Sequence, residues 1–107
     1  MRRGDFVTVA IQGDFGKPKA ALVVQANRFD GLATATMPPV TSTIVDAPLL
    51  RITVEPDEHN GLARRSQVMI DKVITVRRDK IGPAFGCAND ALMRAVNRAL
   101  LVFLGIA

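Results

Sequence analysis

Apolar and polar positions along this chain change their period once, near Asn89, and that change divides it into a β-patterned part and a helical part. Ala20 to Val24 is an unbroken apolar run bounded by loop signals, which predicts a buried central strand. Phe6 to Ile11 alternates, Val7, Val9 and Ile11 against Thr8 and Ala10, and predicts a first strand with one buried face. Leu49 to Glu55 alternates most cleanly, with Leu50, Ile52 and Val54 on one side and Arg51, Thr53 and Glu55 on the other. Thr34 to Met37 is a short β-prone piece, and Pro38-Pro39 precludes helix before Val40 to Thr43. Gln67 to Ile70 and Val73 to Val76 predict two strands or one bent one, interrupted at Asp71-Lys72.

From Asn89 onward Leu92, Ala95-Val96, Ala99-Leu100 and Phe103 recur at three and four residues, with Arg94, Asn97 and Arg98 on the other face. This is an amphipathic helix, with Asn89 as its N-cap, Asp90 complementing the dipole and Gly105 placed to end it. Leu101, Val102 and Leu104 leave little polar surface in its last turn, so a homodimer is expected. The predicted architecture is mainly β with α+β content: short, strongly curved antiparallel strands forming a small barrel, closed by one C-terminal helix.

The connections carry most of the candidate chemistry. Gln12 to Pro18 holds two glycines and a proline, a loop whose backbone can approach a ligand, and it sets Lys17 and Lys19 on the shoulder of the central strand. Arg77 to Pro83 is predicted as a charged, solvated corner, and His59 as a surface residue of an acidic loop. The 107 residues suit one domain, 1–107. The formal charge of +4 and sequence pI near 10.0 suit a polyanionic or acidic partner. A single cysteine forms no internal disulfide and no leader is visible, so the expectation is a soluble cytoplasmic protein. Ala99 to Ile106, the most hydrophobic segment, is far shorter than the roughly 20 residues that span a bilayer, so no membrane role is expected.

The chain has no Walker loop, CxxC, HExxH or nucleophile elbow, and with one His and one Cys a zinc site is improbable. Cys87, among Gly82, Pro83 and Gly86, is expected to be a small buried filler. What remains is a set of cations, hydroxyls and one carboxylate: Lys17, Lys19, Thr41, Ser42, Asp71 and Lys72. Such groups can stabilise a phosphorane-like transition state and move protons without a metal or other cofactor.

Collinear segments then carry a resemblance over nearly the whole chain. They are Arg3-Gly4-Asp5-Phe6-Val7, Gly16-Lys17-Pro18-Lys19-Ala20-Ala21-Leu22-Val23-Val24, Pro39-Val40-Thr41-Ser42, Gly61-Leu62, Ser66 to Lys72 and the helix ending Phe103-Leu104-Gly105. Together they resemble the MazF/PemK toxins. The resemblance implies a homodimeric SH3-like barrel of the type shared with CcdB, and a toxin of a type II toxin-antitoxin pair. It further implies a metal-independent, sequence-specific endoribonuclease in which the RNA 2′-hydroxyl attacks the adjacent phosphate, with single-stranded RNA and a cognate acidic antitoxin as partners. By the same resemblance Lys19 stands where the family usually has a phosphate-stabilising arginine, Thr41 at a threonine that serves the scissile site, and Asp71 at an acidic position that is a general base in some members. Lys17, Ser42, Arg64, Arg65 and Lys72 are the expected RNA contacts. Two positions depart from the family pattern: lysine replaces arginine at 19, and Met69 lies where one branch has a second catalytic arginine. The alternatives are a CcdB-like gyrase poison and a degenerate member that binds only antitoxin or nucleic acid.

Overall fold

The computed structural model describes residues 1–10 and 18–107, so the predicted end of the first strand at Ile11 and the loop carrying Lys17 lie outside the described residues. Its strands are β1 (Asp5–Val9), β2 (Lys19–Leu22), β3 (Thr34–Met37), β4 (Pro39–Thr41), β5 (Arg51–Val54), β6 (Ser66–Met69), β7 (Ile74–Arg77) and β8 (Ile81–Cys87), followed by the helix α1 (Asp90–Phe103). Six of them form one antiparallel sheet in the order β5-β6-β4-β2-β1-β8, while β3 and β7 pair separately. The predicted central strand is therefore central, flanked by β1 and β4. The curved sheet stays open, with β5 and β8 as its two edges.

Cross-strand register explains how one sheet supports two cores. Phe6 faces Leu22, Ala20 faces Val40, Val40 faces Val68 and Val68 faces Ile52, which puts these side chains in rows on one face. That face packs against Met93 and Val96 of α1, with Ile70 and Val54 completing the cluster. On the other face Val7, Val9 and Ala21 pack against Ala35, Met37 and Val76 of the two-stranded sheet. The helix starts where the sequence places it, because the Asn89 side chain accepts a hydrogen bond from the Leu92 N–H at 2.7 Å. It ends at Leu104, and Gly105 follows at φ 75°, a left-handed conformation that glycine adopts without a Cβ penalty.

Three sequence expectations change, and one open alternative resolves to two strands. The first strand buries both faces, not one: Phe6 enters the helix-side core while Val7 and Val9 enter the other. The interruption at Asp71-Lys72 separates two strands of different sheets, since the turn Ile70–Lys72 carries the chain from β6 to β7. Arg77 to Pro83 is not simply a solvated corner, because after a short turn the chain enters β8 through Gly82 and Pro83. Proline and glycine are tolerated there because β8 is an edge strand, and a Cβ on Gly82 would come within 2.4 Å of the Thr8 hydroxyl. Cys87, the last residue of β8, is exposed and is not a buried filler.

The loop after β5 is locked by Asn60, 1% exposed. Its Oδ1 accepts from the N–H groups of Asp57 at 3.2 Å and Leu62 at 3.0 Å, and its Nδ2 donates to the Glu55 carbonyl at 2.9 Å. Asp57 in turn accepts the N–H groups of His59 and Asn60, and these bonds, that to His59 first, hold its carboxyl below the usual range.

Three outcomes follow from this packing. Gly86→Ala places a Cβ 2.2 Å from the Asn60 backbone and should cost about 2 kcal/mol or more, whereas Gly31→Ala, with open space around it, should leave thermal unfolding near wild type. Asn60→Ala strands buried backbone groups and should cost about 1–3 kcal/mol in denaturant unfolding. The lowered Asp57 pKa stabilises the fold above the ordinary aspartate value of about 4, and that contribution is lost as pH falls through the lowered value. Asp57→Asn should therefore flatten the acid limb of stability against pH.

Candidate functional site

Directly paired residues of antiparallel strands project from the same face of a sheet, and this brings four polar side chains into one row. Ala20 pairs with Val40 and Ala21 with Pro39, a register that carries Lys19 to the position opposite Thr41. Thr41 pairs with Gln67, and Gln67 with Thr53. Lys19, Thr41, Gln67 and Thr53 thus cross β2, β4, β6 and β5 at intervals of about 4.8 Å, on the face turned away from α1. Lys19 is exposed and Thr41 half-buried. The Thr41 Oγ1 accepts from the Thr43 N–H at 3.1 Å, which orients the hydroxyl and leaves its own proton for donation.

Gln67 is 3% exposed and its side chain is bonded on every side it presents. Its Oε1 accepts from the Val45 N–H at 3.1 Å, while Nε2 donates to the Val45 carbonyl at 3.0 Å and to the Thr53 Oγ1 at 3.2 Å. A single amide thereby pins the segment after Thr41 to the sheet and shapes the wall of the site. Nothing in the sequence marks it: Ser66-Gln67-Val68 reads as ordinary strand, and only the register shows that this side chain meets the 42–46 segment.

The remaining candidates divide by position. Ser42 follows Thr41 directly and is exposed. Arg64 and Arg65 precede β6, at the end where Thr41 meets it, and both are exposed. Arg65 Nε lies 2.8 Å from Glu55 Oε1, and the Arg64 carbonyl accepts the Ser66 hydroxyl at 2.9 Å. Lys17 lies outside the described residues.

Asp71 is not brought to Lys19 and Thr41 within one chain, although the family resemblance gives it to the same catalytic set. Thr41 faces Gln67 near the start of β6, and Asp71 comes after its end, so antiparallel geometry separates them by roughly 10 Å along the strand within one chain. The Asp71 side chain, 19% exposed, pairs through Oδ2 with Lys72 Nζ at 3.4 Å, which places Lys72 at the far end as well. Its Oδ1 is buried without a hydrogen-bond partner. Cys87 and His59 meet only through their backbones, Cys87 N–H donating to the His59 carbonyl at 2.9 Å. Among the described residues no group of three or more His, Cys, Asp or Glu is placed to hold a metal ion, and no helix is long and apolar enough to cross a membrane.

Comparisons with known proteins agree over the whole chain. A family model described as a PemK-like, MazF-like toxin of type II toxin-antitoxin systems matches residues 2–104. A protein named probable endoribonuclease MazF from Mycolicibacterium smegmatis is 48% identical over 108 residues, covering 100% of this chain and 99% of that protein. Among solved structures, an endoribonuclease in complex with its cognate antitoxin from Mycobacterial species superposes with a TM-score of 0.83 at 24% identity, covering 100% of this chain and 97% of that one. The Mycobacterium tuberculosis toxin MazF-mt6 gives 0.81 at 19% identity, covering 96% and 98%. These two structural likenesses bear on the fold.

The Gln67 clamp has a direct consequence in solution. Gln67→Ala removes both bonds to Val45, so exchange of the Val45 amide should accelerate at least tenfold while the amides of the β4–β6 ladder keep their protection. Unchanged Val45 protection would contradict the clamp.

Proposed function

We propose that this chain, which belongs to the PemK-like, MazF-like toxin family of type II toxin-antitoxin systems, is an endoribonuclease that cuts single-stranded RNA at the Lys19 and Thr41 end of its main sheet. The activity is supported by 48% identity to a probable endoribonuclease across the full chain. The observation that carries the site is the pairing that sets Lys19 opposite Thr41 on one face. A gyrase-poison function is not favoured, since that relative bears an endoribonuclease name.

The chemistry is that of two preorganised groups. The 2′-hydroxyl attacks the adjacent phosphorus in line, the P–O5′ bond breaks, and the products are a 2′,3′-cyclic phosphate and a 5′-hydroxyl. Lys19 stabilises the charge that develops on the non-bridging oxygens, and Thr41, its oxygen fixed by the Thr43 N–H, donates to the phosphate or orients the 2′-hydroxyl. Asp71 and Lys72 are left outside the reacting pair because they lie at the other end of β6. Ser42, Arg64 and Arg65 lie at the Thr41 end and supply further RNA contacts.

The assembly follows the same reading. Leu101, Val102, Phe103 and Leu104 are between 42% and 64% exposed at the end of α1, an apolar patch that a second copy covers in a cytoplasmic homodimer. A cognate acidic antitoxin neutralises the toxin, with the net charge of +4 drawing both the acidic segment and RNA.

Cleavage should proceed in EDTA with cyclic-phosphate and 5′-hydroxyl ends. Lys19→Ala should slow it by roughly a hundredfold or more, the typical loss for one preorganised charge contact, and Lys19→Arg should keep or raise the rate. Wild-type cleavage by a folded, dimeric Lys19→Ala protein would remove Lys19 from the mechanism.

A further inference from the structure

Beyond the reacting pair, the same face of the sheet carries a groove that the mechanism above leaves unused. It lies between the 44–48 loop and the edge strand β5 and has a volume of about 410 Å³. Ile44 and Val45, 41% and 43% exposed, form one wall, Arg51 and Thr53 the other, with buried Gln67 at its inner end and Asp46 at its rim.

Arg51 is the unusual member. It pairs cross-strand with Met69, two residues along β5 from Thr53, so it projects from the face that bears Lys19 and Thr41. Two strand spacings across and two residues along put it about 12 Å from Thr41, within reach of a nucleotide flanking the scissile one in an extended strand. The residue is half-buried, yet its guanidinium makes no hydrogen bond or ion pair with any described residue. Arg65, which also lines the groove, is by contrast paired with Glu55, and Arg78 donates to the Leu32 and Phe29 carbonyls. A half-buried arginine whose guanidinium meets no acceptor among the described residues is poised for an anion, and its planar fork matches a phosphate through two parallel N–H donors.

We propose that this groove is an RNA subsite of the nuclease, in which Arg51 takes the phosphate of a flanking nucleotide and the wall formed by Ile44 and Val45 takes its base. The proposal rests on the endoribonuclease reading. The mixture of groups favours a nucleotide over an acidic peptide. Of the two arginines that line the groove Arg65 is paired with Glu55, which leaves Arg51 for one phosphate, while the apolar wall meets the base and Asp46 offers an acceptor for a base N–H but repels a run of carboxylates. The Gln67 clamp holds the Val45 backbone from both sides, so the loop wall is set before RNA arrives.

The test uses the full chain and a fluorescent 2′-O-methyl RNA of mixed sequence, which cannot be cut, with anisotropy read against salt. Arg51→Ala should weaken binding about tenfold and lower the log–log salt slope by roughly 0.7, the loss of one single-strand phosphate contact, while Arg51→Lys should recover the slope but only part of the affinity. On cleavable RNA, the preference for a longer substrate over a dinucleotide should fall about tenfold in Arg51→Ala. A folded Arg51→Ala protein with wild-type affinity and slope overturns the subsite while leaving the nuclease reading intact. An Arg51-dependent affinity in a wild-type protein that cuts no RNA does the reverse. If Arg51→Ala binds RNA as wild type but resists the antitoxin, the groove belongs to the acidic partner and the proposal is overturned.

Discussion

Burial of the main sheet on both faces is the constraint on which the rest of this structure depends. A sheet with one solvated face needs only alternating apolar residues, but β1 and β2 carry apolar side chains on both sides, and each side needs its own cover. The amphipathic helix covers one side and the β3–β7 pair the other. That second cover uses strands that precede and follow the middle of the chain, so the chain must leave the main sheet at Ile70–Lys72 to form it. The position of Asp71 is a product of that departure, since it belongs to the turn joining the two layers and not to the strand end near Lys19.

The β3–β7 pair covers Val7, Val9 and Ala21 but does not extend over β5. Beyond its reach the same face becomes polar: Thr41, Gln67, Thr53 and Arg51 occupy positions whose counterparts nearer β1 are apolar. The segment after β4 takes over as cover there, held by an amide instead of by hydrophobic contact. A polar, hydrogen-bonded cover leaves hydroxyls and cations at the surface, and it is held rigidly because both hydrogen bonds to Val45 come from one buried side chain. Rigid polar groups beside an open groove are what metal-free phosphoryl chemistry requires, since such chemistry depends on positioned charge and not on a reactive group of the protein.

Much of this was present in the order of the residues. The central strand at Ala20, the strand at Leu49 to Glu55 and the capped helix from Asn89 are local patterns, set by burial period and capping chemistry, and each stands where the pattern placed it, within the usual uncertainty of element ends. The likeness to a toxin family was legible too, because it lies in the collinear order of short segments and not in any contact. The placement of Lys19 and Thr41 at strand ends was within reach of sequence, and the register of β2 on β4, extended by one residue, sets them opposite each other.

Three features were decided only by tertiary structure. Strand β8 runs through Gly82 and Pro83, residues that signal a break, because an edge strand needs only one row of ladder bonds and its neighbours Thr8 and Asn60 come too close for a Cβ. Cys87 is exposed at the end of β8, which has no strand beyond it among the described residues. The positions of Gln67 and Arg51, and the separation of Asp71 from Lys19 and Thr41 within one chain, follow from register. The four-residue step from Gln67 in β6 to Asp71 in the turn after it means little to local sequence, yet it separates the two ends of that strand. Local pattern determines where most of the strands and the helix lie, whereas which faces a strand buries and how far apart two side chains stand depend on which strands pair, and only the folded chain decides that.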